Sequence, residues 1–465
     1  MKEILTSLKK RELKNKKITV LGSGKSGIES SKFLSSLGAT VLLSDNKELE
    51  KSTIDILNQY NIPYEMGYHS KEAIINSDLI IVSPGIPIDS DVLKLANTYK
   101  IPFISEIELA YLFTEIPIIA ITGSNGKTTT TSLISYILEM TDKKVGCCGN
   151  IGIPYVSLVS SNIFNTKKYE YYVIEISSFQ LETIRTFKPY IGVLLNLNDN
   201  HLDRHKTREI YRNMKKRLFE NQTEMEFAVL NSDYEDVISI KDEIKSKVIQ
   251  ISMKKELEQG VFLFDNYIVS KKDNKLNKII QIDKISLKGK HNLENCLAAV
   301  AVMEILNISN DIVEKSLKEF TGVEHRIEPV SIIQGVTFIN DSKGTNYTAT
   351  IKAIESFNTP IILILGGRDK GGDFSPLAKI IKEKVDKVIL IGETQTLFEK
   401  YLRSSNFDNI YYSDSLKGAV ELSYKLARSG DTVLFSPACT SFDMFKNFEE
   451  RGNFFKNYVR ELTKN

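Results

Sequence analysis

Three short apolar runs, each followed directly by a glycine, constrain the fold of this chain more than any other feature. They are Lys17 to Gly22 (KITVLG), Ile118 to Gly123 (IIAITG) and Ile361 to Gly367 (IILILGG). Each run predicts a buried parallel strand whose carboxyl end leads into a ligand-binding turn. Helical patterns alternate with further strand-like runs at 40–44, 79–83, 172–176, 191–195, 387–391 and 432–436. This alternation predicts doubly wound α/β domains.

The length of 465 residues is too great for one hydrophobic core and predicts two to four domains. We place boundaries near 106, where a new helix–strand pattern begins, and near 321, where a helical segment over 310–320 ends. The section 233–285 is charged and its pattern is broken. We expect it to be a strand-rich excursion from the middle domain.

The second of the three runs opens a phosphate-binding loop. Residues 122–128 read Thr-Gly-Ser-Asn-Gly-Lys-Thr, followed by a helical pattern. Backbone N–H groups in such a turn can hold phosphate oxygens, Lys127 adds a charge near the β and γ phosphates, and the Thr128 hydroxyl can ligate Mg²⁺. The strict pattern G-x-x-x-x-G-K-[ST] fails, because its first glycine would fall at Ile121. The sequence therefore predicts a variant nucleoside-triphosphate loop.

The first run leads into a second glycine-rich turn. Gly22, Gly24 and Gly27 fit G-x-G-x-x-G after a strand, and Asp45 closes the next strand. This pattern permits three interpretations: a dinucleotide site, a site for another diphosphate-bearing ligand, and a purely structural turn. A second phosphate loop at 123–128 disfavours a dehydrogenase, because hydride transfer does not need it.

Composition excludes several classes of protein. A formal net charge of +2 provides no overall basic field for nucleic acid, and no apolar stretch reaches the length of a membrane helix. The N-terminus lacks the apolar core of a signal peptide. The four cysteines show no C-x-x-C spacing, so we expect buried thiols in a reducing cytoplasm, without zinc or disulfides.

Polar residues near the central loop suggest a metal and nucleotide site. Glu175 ends an apolar run, where a carboxylate is well placed for Mg²⁺, although a helix-capping or surface glutamate is the alternative. Four of the five histidines (201, 205, 291 and 325) lie in polar, motif-like stretches. Asn292 and Asn295 begin a predicted helix, and their amides could hydrogen-bond a base edge.

Taken together, the motifs resemble those of the Mur ligase family, which builds the peptide stem of bacterial peptidoglycan. The resemblance covers nearly the whole chain in collinear order and is carried by 122–129 (TGSNGKTT), 175–180 (EISSFQ), 201–204 (HLDR), 291–295 (HNLEN) and 324–326 (EHR). It implies an α/β fold with three domains. These are a Rossmann-like UDP-substrate domain (1–106), a P-loop-type central ATPase domain with a mostly parallel sheet (107–321) and a Rossmann-like amino-acid domain (322–465).

The C-terminal third narrows the implied activity. Segments 340–346 (NDSKGTN), 366–370 (GGRDK) and 436–452 (SPACTSFDMFKNFEERG) are similar to those of the D-glutamate-adding member. The resemblance therefore implies ATP-dependent addition of D-glutamate to UDP-N-acetylmuramoyl-L-alanine through an acyl phosphate, by a cytoplasmic monomer. The alternatives are an alanine-adding ligase, a folylpolyglutamate synthase and a non-catalytic nucleotide-binding regulator. The G-x-G-x-x-G block argues against the folate enzyme, whose chain begins at the ATPase domain.

The resemblance also implies a set of site residues. ATP would be bound by Gly123, Ser124, Asn125, Gly126, Lys127, Thr128, Thr129, Asn292, Asn295, Arg326 and Asp341. The UDP-substrate would be bound by Lys25, Ser26, Asp45, Asn46, Ser83, Pro84, Gly85, Asn150, Ser177 and Gln180. D-glutamate would be bound by Lys343, Thr345, Lys370, Ser441 and Phe448.

The implied catalytic residues are Lys127, Glu175, His201, Lys215 and Arg326. Two Mg²⁺ ions would be held by Thr128, Glu175, His201 and Lys215, the last carbamylated by CO₂. Alignment from Tyr211 assigns the carbamylated lysine to Lys215. A shift of one position in that alignment would assign it to Lys216 instead. Without the resemblance, a solvated basic helix face is the alternative for this stretch.

Overall fold

The structure is a computed structural model that describes residues 2–150, 152–197, 202–357, 359–369 and 373–463. The chain divides into two compact units, Met1–Phe320 and Thr321–Asn465. The first unit contains two sheets and the second unit contains one.

The first sheet is entirely parallel, with strand order β3-β2-β1-β4-β5. Its central strand β1 pairs with both β2 and β4, so the glycine turn after β1 lies at the middle of the sheet edge. The elements of this part are α1 (Lys2–Lys9), β1 (Lys17–Leu21), α2 (Lys25–Ser36), β2 (Thr40–Asp45), α3 (Lys51–Gln59), β3 (Tyr64–Met66), α4 (Lys71–Ile75), β4 (Leu79–Val82), α5 (Asp91–Thr98) and β5 (Phe103–Ser105).

The second sheet begins after a short connecting helix and has the order β14-β13-β12-β11-β10-β9-β6-β8-β7. Its first part comprises α6 (Glu106–Tyr111), β6 (Ile118–Thr122), α7 (Lys127–Glu139), β7 (Val145–Gly149), α8 (Tyr155–Ile163), β8 (Tyr171–Glu175), α9 (Ser178–Leu181), β9 (Ile191–Leu194), α10 (Leu202–His205) and α11 (Arg208–Lys216). All five residues of β6 are buried, as expected for a strand covered on both faces.

The segment 233–285 extends this sheet, and the expectation of a strand-rich excursion is confirmed. Strands β12, β13 and β14 pair antiparallel with one another at the end of an otherwise parallel sheet. The two helices that follow in the chain, α13 and α14, pack against the apolar core on this sheet. The elements are β10 (Phe227–Asn231), α12 (Glu235–Ile238), β11 (Lys247–Ser252), β12 (Gly260–Phe264), β13 (Tyr267–Lys272), β14 (Lys275–Gln281), α13 (Lys290–Ile305) and α14 (Asn310–Glu319), with 3₁₀ turns at Arg217–Phe219, Ser239–Glu243 and Ile282–Lys284.

The second unit is built on a six-stranded sheet of order β15-β16-β20-β17-β18-β19, in which only the β15–β16 pair is antiparallel. The elements are β15 (Glu328–Ile333), β16 (Val336–Asn340), α15 (Tyr347–Glu355), β17 (Ile361–Gly366), α16 (Ser375–Lys384), β18 (Val385–Ile391), α17 (Gln395–Ser404), β19 (Ile410–Tyr412), α18 (Leu416–Leu426), β20 (Thr432–Phe435) and α19 (Phe448–Glu461). Separate apolar clusters lie on the two faces of this sheet.

The α/β prediction is confirmed, because the chain forms three mostly parallel sheets covered by helices. The three glycine-terminated runs are the interior strands β1, β6 and β17. In the described residues, no helix has the length and apolar character needed to cross a membrane.

Candidate active site

The loop between β6 and α7 has the backbone geometry of a phosphate cradle. Gly126 precedes the first turn of α7 with φ of 82°. A Cβ at this position would lie 2.2 Å from Oδ1 of Asn295, so a glycine is required. The loop is fixed from the neighbouring strand end, because Ser124 N donates to Asn196 O and Asn125 N donates to Asn196 Oδ1. The amides at the start of α7 therefore form a fixed anion site.

Lys127 lies in the first turn of α7 and folds back over this loop. Its Nζ donates to the carbonyl oxygens of Gly123 and Ser124 at 2.9 and 3.0 Å. The ammonium group is thus held at the mouth of the cradle, where it adds positive charge to the N-terminal end of the helix dipole. Thr129 follows in the same turn and is half-buried.

Thr128, Glu175 and Asn150 form a hydrogen-bonded row at the carboxyl ends of the strands. Thr128 Oγ1 donates to Oε2 of Glu175 at 2.7 Å, and Asn150 Nδ2 donates to Oε1 at 2.8 Å. Glu175 is 2% exposed. The alternative of a surface or capping glutamate is therefore wrong for this residue. A hydroxyl and a carboxylate beside a phosphate cradle are oxygen donors of the kind that Mg²⁺ prefers.

Lys215 projects from α11 into the same region. It is 2% exposed, its Nζ donates to Thr122 Oγ1 at 3.0 Å, and its ammonium lies 5.0 Å from the centre of the Tyr211 ring. Burial lowers the pKa of Lys215 well below its ordinary value, and the nearby Lys127 charge lowers it further. The adjacent Lys216 instead forms an exposed ion pair with Glu243. The basic stretch therefore contains one buried amine.

His201, the predicted metal-binding histidine, lies outside the described residues. Four residues further along the chain, His205 is buried: its Nε2 contacts Ser178 Oγ at 2.9 Å and its ring stacks on Phe179. His205 is thus held in the protein core beneath α9.

Asn292 and Asn295 lie in the first turns of α13, beside the cradle. Asn295 is buried, and its Oδ1 accepts from Thr130 Oγ1 at 3.1 Å while its Nδ2 donates to Asn292 Oδ1 at 3.2 Å. Asn292 Nδ2 donates to Lys288 O at 2.8 Å. In this arrangement Asn295 braces α7, and Asn292 is the more exposed of the two amides.

A cleft of about 780 Å³ collects most of the predicted UDP-substrate residues within the first unit. Nine of these ten residues line the cleft. The tenth, Ser177, does not line it, but it forms a reciprocal capping box with Gln180, which is a lining residue. The glycine turn after β1 is closely packed, because a Cβ at Gly27 would lie 1.9 Å from Gly22 O. The lining residues from the prediction are Lys25, Ser26, Asp45, Asn46, Ser83, Pro84, Gly85, Asn150 and Gln180.

Asp45 anchors the glycine turn in this cleft. Its Oδ2 accepts from the N–H and the hydroxyl of Ser23, both at 2.6 Å, and its Oδ1 accepts from Lys47 N at 2.9 Å. Burial opposes ionisation, yet these hydrogen bonds leave the pKa of Asp45 below its usual value.

Arg204 connects the two sheets of the first unit. Its guanidinium pairs with Glu182 at 2.5 Å, stacks over Phe179, and donates to the carbonyl oxygens of Gly85 and Ile86. One side chain on α10 therefore fixes the loop that forms a wall of the cleft.

In the second unit, Asp341 follows β16 and is buried. Ser436 Oγ donates to its Oδ2 at 2.6 Å and Ile327 N donates to Oδ1 at 3.2 Å. Burial raises its pKa to about 7, although Arg326 is close enough to oppose this shift. Arg326 itself is exposed.

Four of the predicted D-glutamate residues lie in the loops after β16 and β20 or at the start of α19. Lys343 Nζ lies 5.8 Å from the centre of the Phe448 ring, and Thr345 N donates to Lys343 O at 2.8 Å. Ser441 is buried, and its carbonyl accepts from Met444 N and Phe445 N. Lys370 lies outside the described residues.

Arg451 was not predicted as a site residue, yet it braces these loops. It is fully buried; its Nε donates to Ser342 Oγ, and Nη2 donates to Ser342 O and Cys439 O. Burial lowers its pKa to about 10. Its position within segment 436–452, which carries part of the family resemblance, was the only available signal, because sequence alone does not distinguish a buried arginine from an exposed one.

Three family models match this chain in order. The Mur ligase MurD-like N-terminal domain matches residues 16–105, the Mur ligase middle domain matches 121–303, and the Mur ligase glutamate ligase domain matches 325–439. The chain belongs to the Mur ligase family. Enzymes of this family use ATP and Mg²⁺.

Close relatives share one name, UDP-N-acetylmuramoylalanine--D-glutamate ligase. The relative from Thermoanaerobacter sp. (strain X514) is 47% identical over 455 residues, which cover 97% of this chain and 99% of the relative. The relative from Clostridioides difficile (strain 630) is 42% identical over 456 residues, covering 97% and 100%.

Solved structures of other Mur ligases share the fold. UDP-N-acetylmuramate-alanine ligase from Thermotoga maritima aligns with a TM-score of 0.54 at 20% identity, over 96% of this chain and 99% of that one. MurF from Acinetobacter baumannii aligns with a TM-score of 0.57 at 15% identity, over 96% and 93%. At these identities the likeness concerns the three-domain fold alone.

Proposed function

We propose that this chain is an ATP-dependent ligase that joins D-glutamate to UDP-N-acetylmuramoyl-L-alanine, a step of peptidoglycan synthesis. The observation that carries the proposal is the near-complete alignment with relatives of that name, at 42% and 47% identity. A phosphate cradle, a buried carboxylate and a large cleft within one compact unit support it.

The chemistry explains why such a site is needed. A carboxylate is a poor electrophile, so the alanyl carboxylate would first take the γ-phosphoryl group of ATP to become an acyl phosphate. The amine of D-glutamate would then attack the carbonyl carbon and release phosphate. Lys127 and the amides of the cradle would hold the phosphates in line and stabilise the charge that develops on them.

The oxygen donors around the cradle fit Mg²⁺ in kind. Thr128 Oγ1 and Glu175 Oε2 lie 2.7 Å apart, and both oxygens can turn to a cation. Bound Mg²⁺ neutralises phosphate charge and orients the transferred group. Asn150 would keep Glu175 in position through its bond to Oε1. We also propose His201 as a ligand of a second ion.

We propose Lys215, and not Lys216, as the carbamylated lysine. Only a neutral amine can attack CO₂, forming an N–C bond and releasing a proton. The lowered pKa of the buried Lys215 favours that neutral form. Its position beside Thr122, at the end of β6, would direct the resulting carboxylate towards the cradle. Lys216 is instead ion-paired with Glu243.

In the second unit, Lys343, Thr345, Ser441 and Phe448 would bind D-glutamate together with Lys370. Its two carboxylates need cationic and hydroxyl partners, which this set supplies. Arg326 and Asp341, on the same unit, would contact the nucleotide. We also propose the domain limits 1–106, 107–321 and 322–465, a monomeric state, and a cytoplasmic location because the reaction consumes ATP.

The test is phosphate release by the full-length chain with ATP, Mg²⁺ and UDP-N-acetylmuramoyl-L-alanine. D-glutamate is expected to stimulate release, whereas L-glutamate and L-alanine are not. Release that is stimulated by L-alanine with UDP-N-acetylmuramate would favour an alanine-adding ligase. Release that no amino acid changes would contradict the proposal.

A second test concerns Lys215. Activity should fall when CO₂ and bicarbonate are removed and return when they are added back. Lys216→Ala is the matched control and should keep this dependence, while Lys215→Ala should be inactive at every bicarbonate concentration. Activity of the wild type that does not respond to bicarbonate would contradict the carbamate.

A further inference from the structure

We infer that His69 recognises the base of the nucleotide-linked substrate and selects uracil over cytosine. His69 follows β3 and lines the cleft of the first unit, alongside Asp45, Asn46 and Lys47. It is not among the residues implied by the family motifs. The inference rests on the proposed function, because it takes the substrate to be uridine-linked.

A hydrogen-bonded chain fixes the tautomer of this histidine. The hydroxyl of Ser44 lies 2.6 Å from Glu65 Oε1 and 2.6 Å from His69 Nδ1. A carboxylate only accepts, so the single hydroxyl proton of Ser44 goes to Glu65. Ser44 Oγ must therefore accept from His69, which places the imidazole proton on Nδ1.

Glu65 is itself held in place. Ser70 donates its N–H to Oε1 at 2.9 Å and its hydroxyl to Oε2 at 2.6 Å. Burial lowers the pKa of His69 by more than Asp45 and Glu65 raise it, which favours the neutral ring. A neutral ring with its proton on Nδ1 has an unprotonated Nε2, which is a hydrogen-bond acceptor.

The position of His69 matches that of a base. In doubly wound folds the diphosphate lies at the glycine turn after the first strand, and the nucleoside extends past the end of the next strand. Here those places are the turn after β1 and the end of β2, where Asp45 lies. His69 lies one strand further out, after β3.

Asp45 is less suited to read the base than His69 is. Its carboxylate already accepts three hydrogen bonds from Ser23 and Lys47, out of about four lone-pair sites. These bonds shape the glycine turn. The Nδ1 atom of His69 is hydrogen-bonded to Ser44, so Nε2 is the remaining polar atom of this ring.

An acceptor at this position distinguishes the two pyrimidines. Uracil carries a donor at N3, whereas cytosine carries an acceptor there. Uracil would donate its N3–H to His69 Nε2, whereas cytosine would place the lone pair of its N3 against the lone pair of Nε2. A polar group left without its partner costs about 1–3 kcal/mol, which corresponds to a loss of affinity of about fivefold to 150-fold.

The experiment measures binding of UDP and CDP to the full-length chain by calorimetry. The wild type should bind UDP at least about fivefold more tightly than CDP, and His69→Ala should bring the two affinities within about twofold. Tyr68→Ala changes an exposed neighbour that does not line the cleft, and it should keep the wild-type ratio. A ratio unchanged by His69→Ala would overturn the inference.

A second measurement detects the tautomer of the wild-type ring directly. Nitrogen-15 NMR of the wild-type imidazoles, assigned by the signal lost in His69→Ala, should show a protonated Nδ1 and an unprotonated Nε2 for His69. The opposite tautomer would overturn the inference. Failure of UDP to bind at all would instead contradict the proposed substrate, so the two failures are distinguishable.

Discussion

Glu108 should contribute several kcal/mol to the stability of the first unit, although it has no assigned role in the proposed chemistry. It lies on α6, which connects the two sheets, and is fully buried. Its Oε2 accepts from Arg185 N and Phe187 N at 2.8 and 2.9 Å. Its Oε1 accepts from the N–H and hydroxyl of Thr186 at 2.8 and 2.6 Å. One carboxylate thus satisfies four donors of a single loop.

Glu108→Gln keeps the shape of the side chain but replaces one oxygen by an NH₂ group. That group faces two donors and leaves both without an acceptor. At about 1–3 kcal/mol for each buried unsatisfied donor, the expected loss is about 4 kcal/mol. A unit of about 320 residues has an unfolding entropy of about 0.7 kcal/mol/K, so its Tm should fall by about 6 °C.

Scanning calorimetry of the full-length variant measures this shift. Glu258→Gln, at an exposed position, is the matched control and should move Tm by less than about 1 °C. A Glu108→Gln shift as small as that of the control would refute the reasoning that these four hydrogen bonds fix the loop to α6.

Three further predictions address charge and site geometry. Burial raises the pKa of Glu106 from 4.5 to about 7, so the stability that its protonated form contributes is present below pH 4.5 and is lost as pH rises to about 7. Glu106→Gln should make the decline in Tm between pH 5 and pH 8 shallower in scanning calorimetry. An unchanged decline would contradict this prediction. Lys127→Ala should reduce phosphate release at least about 1000-fold while UDP binding stays within about twofold, and equal losses of both would count against its role at the phosphates. Arg451→Lys should raise KM for D-glutamate about tenfold, because the variant loses hydrogen bonds to Ser342 and Cys439. KM for the UDP-substrate should not change. Equal rises in the two KM values would contradict a local bracing role.

The sequence predicted the interior strands well because parallel strands buried on both faces must be almost uniformly apolar. Strand β6 is an example, and the glycine turn after it could be recognised from residue type alone. The section 233–285 could be predicted only in outline. Its antiparallel strands are partly exposed, so polar residues interrupt their pattern.

Some buried charged groups were not predicted from the sequence. Glu108 and Arg451 are of residue types that usually lie at the surface, and most of their partners are 77 to 109 positions away along the chain. The pair Lys215 and Lys216 illustrates the same limit. Adjacent helical residues point in directions about 100° apart, so one faces Thr122 and the other faces solvent, and only the packing of α11 determines which.

The central claim is that the chain activates a carboxylate by phosphorylation and transfers it to D-glutamate. The most direct measurement uses UDP-N-acetylmuramoyl-L-alanine labelled with oxygen-18 in its carboxylate, together with ATP and D-glutamate. The acyl-phosphate route predicts one labelled oxygen in the released phosphate for each D-glutamate incorporated into the UDP-linked product. Unlabelled phosphate, or release without incorporation of D-glutamate, would contradict the account.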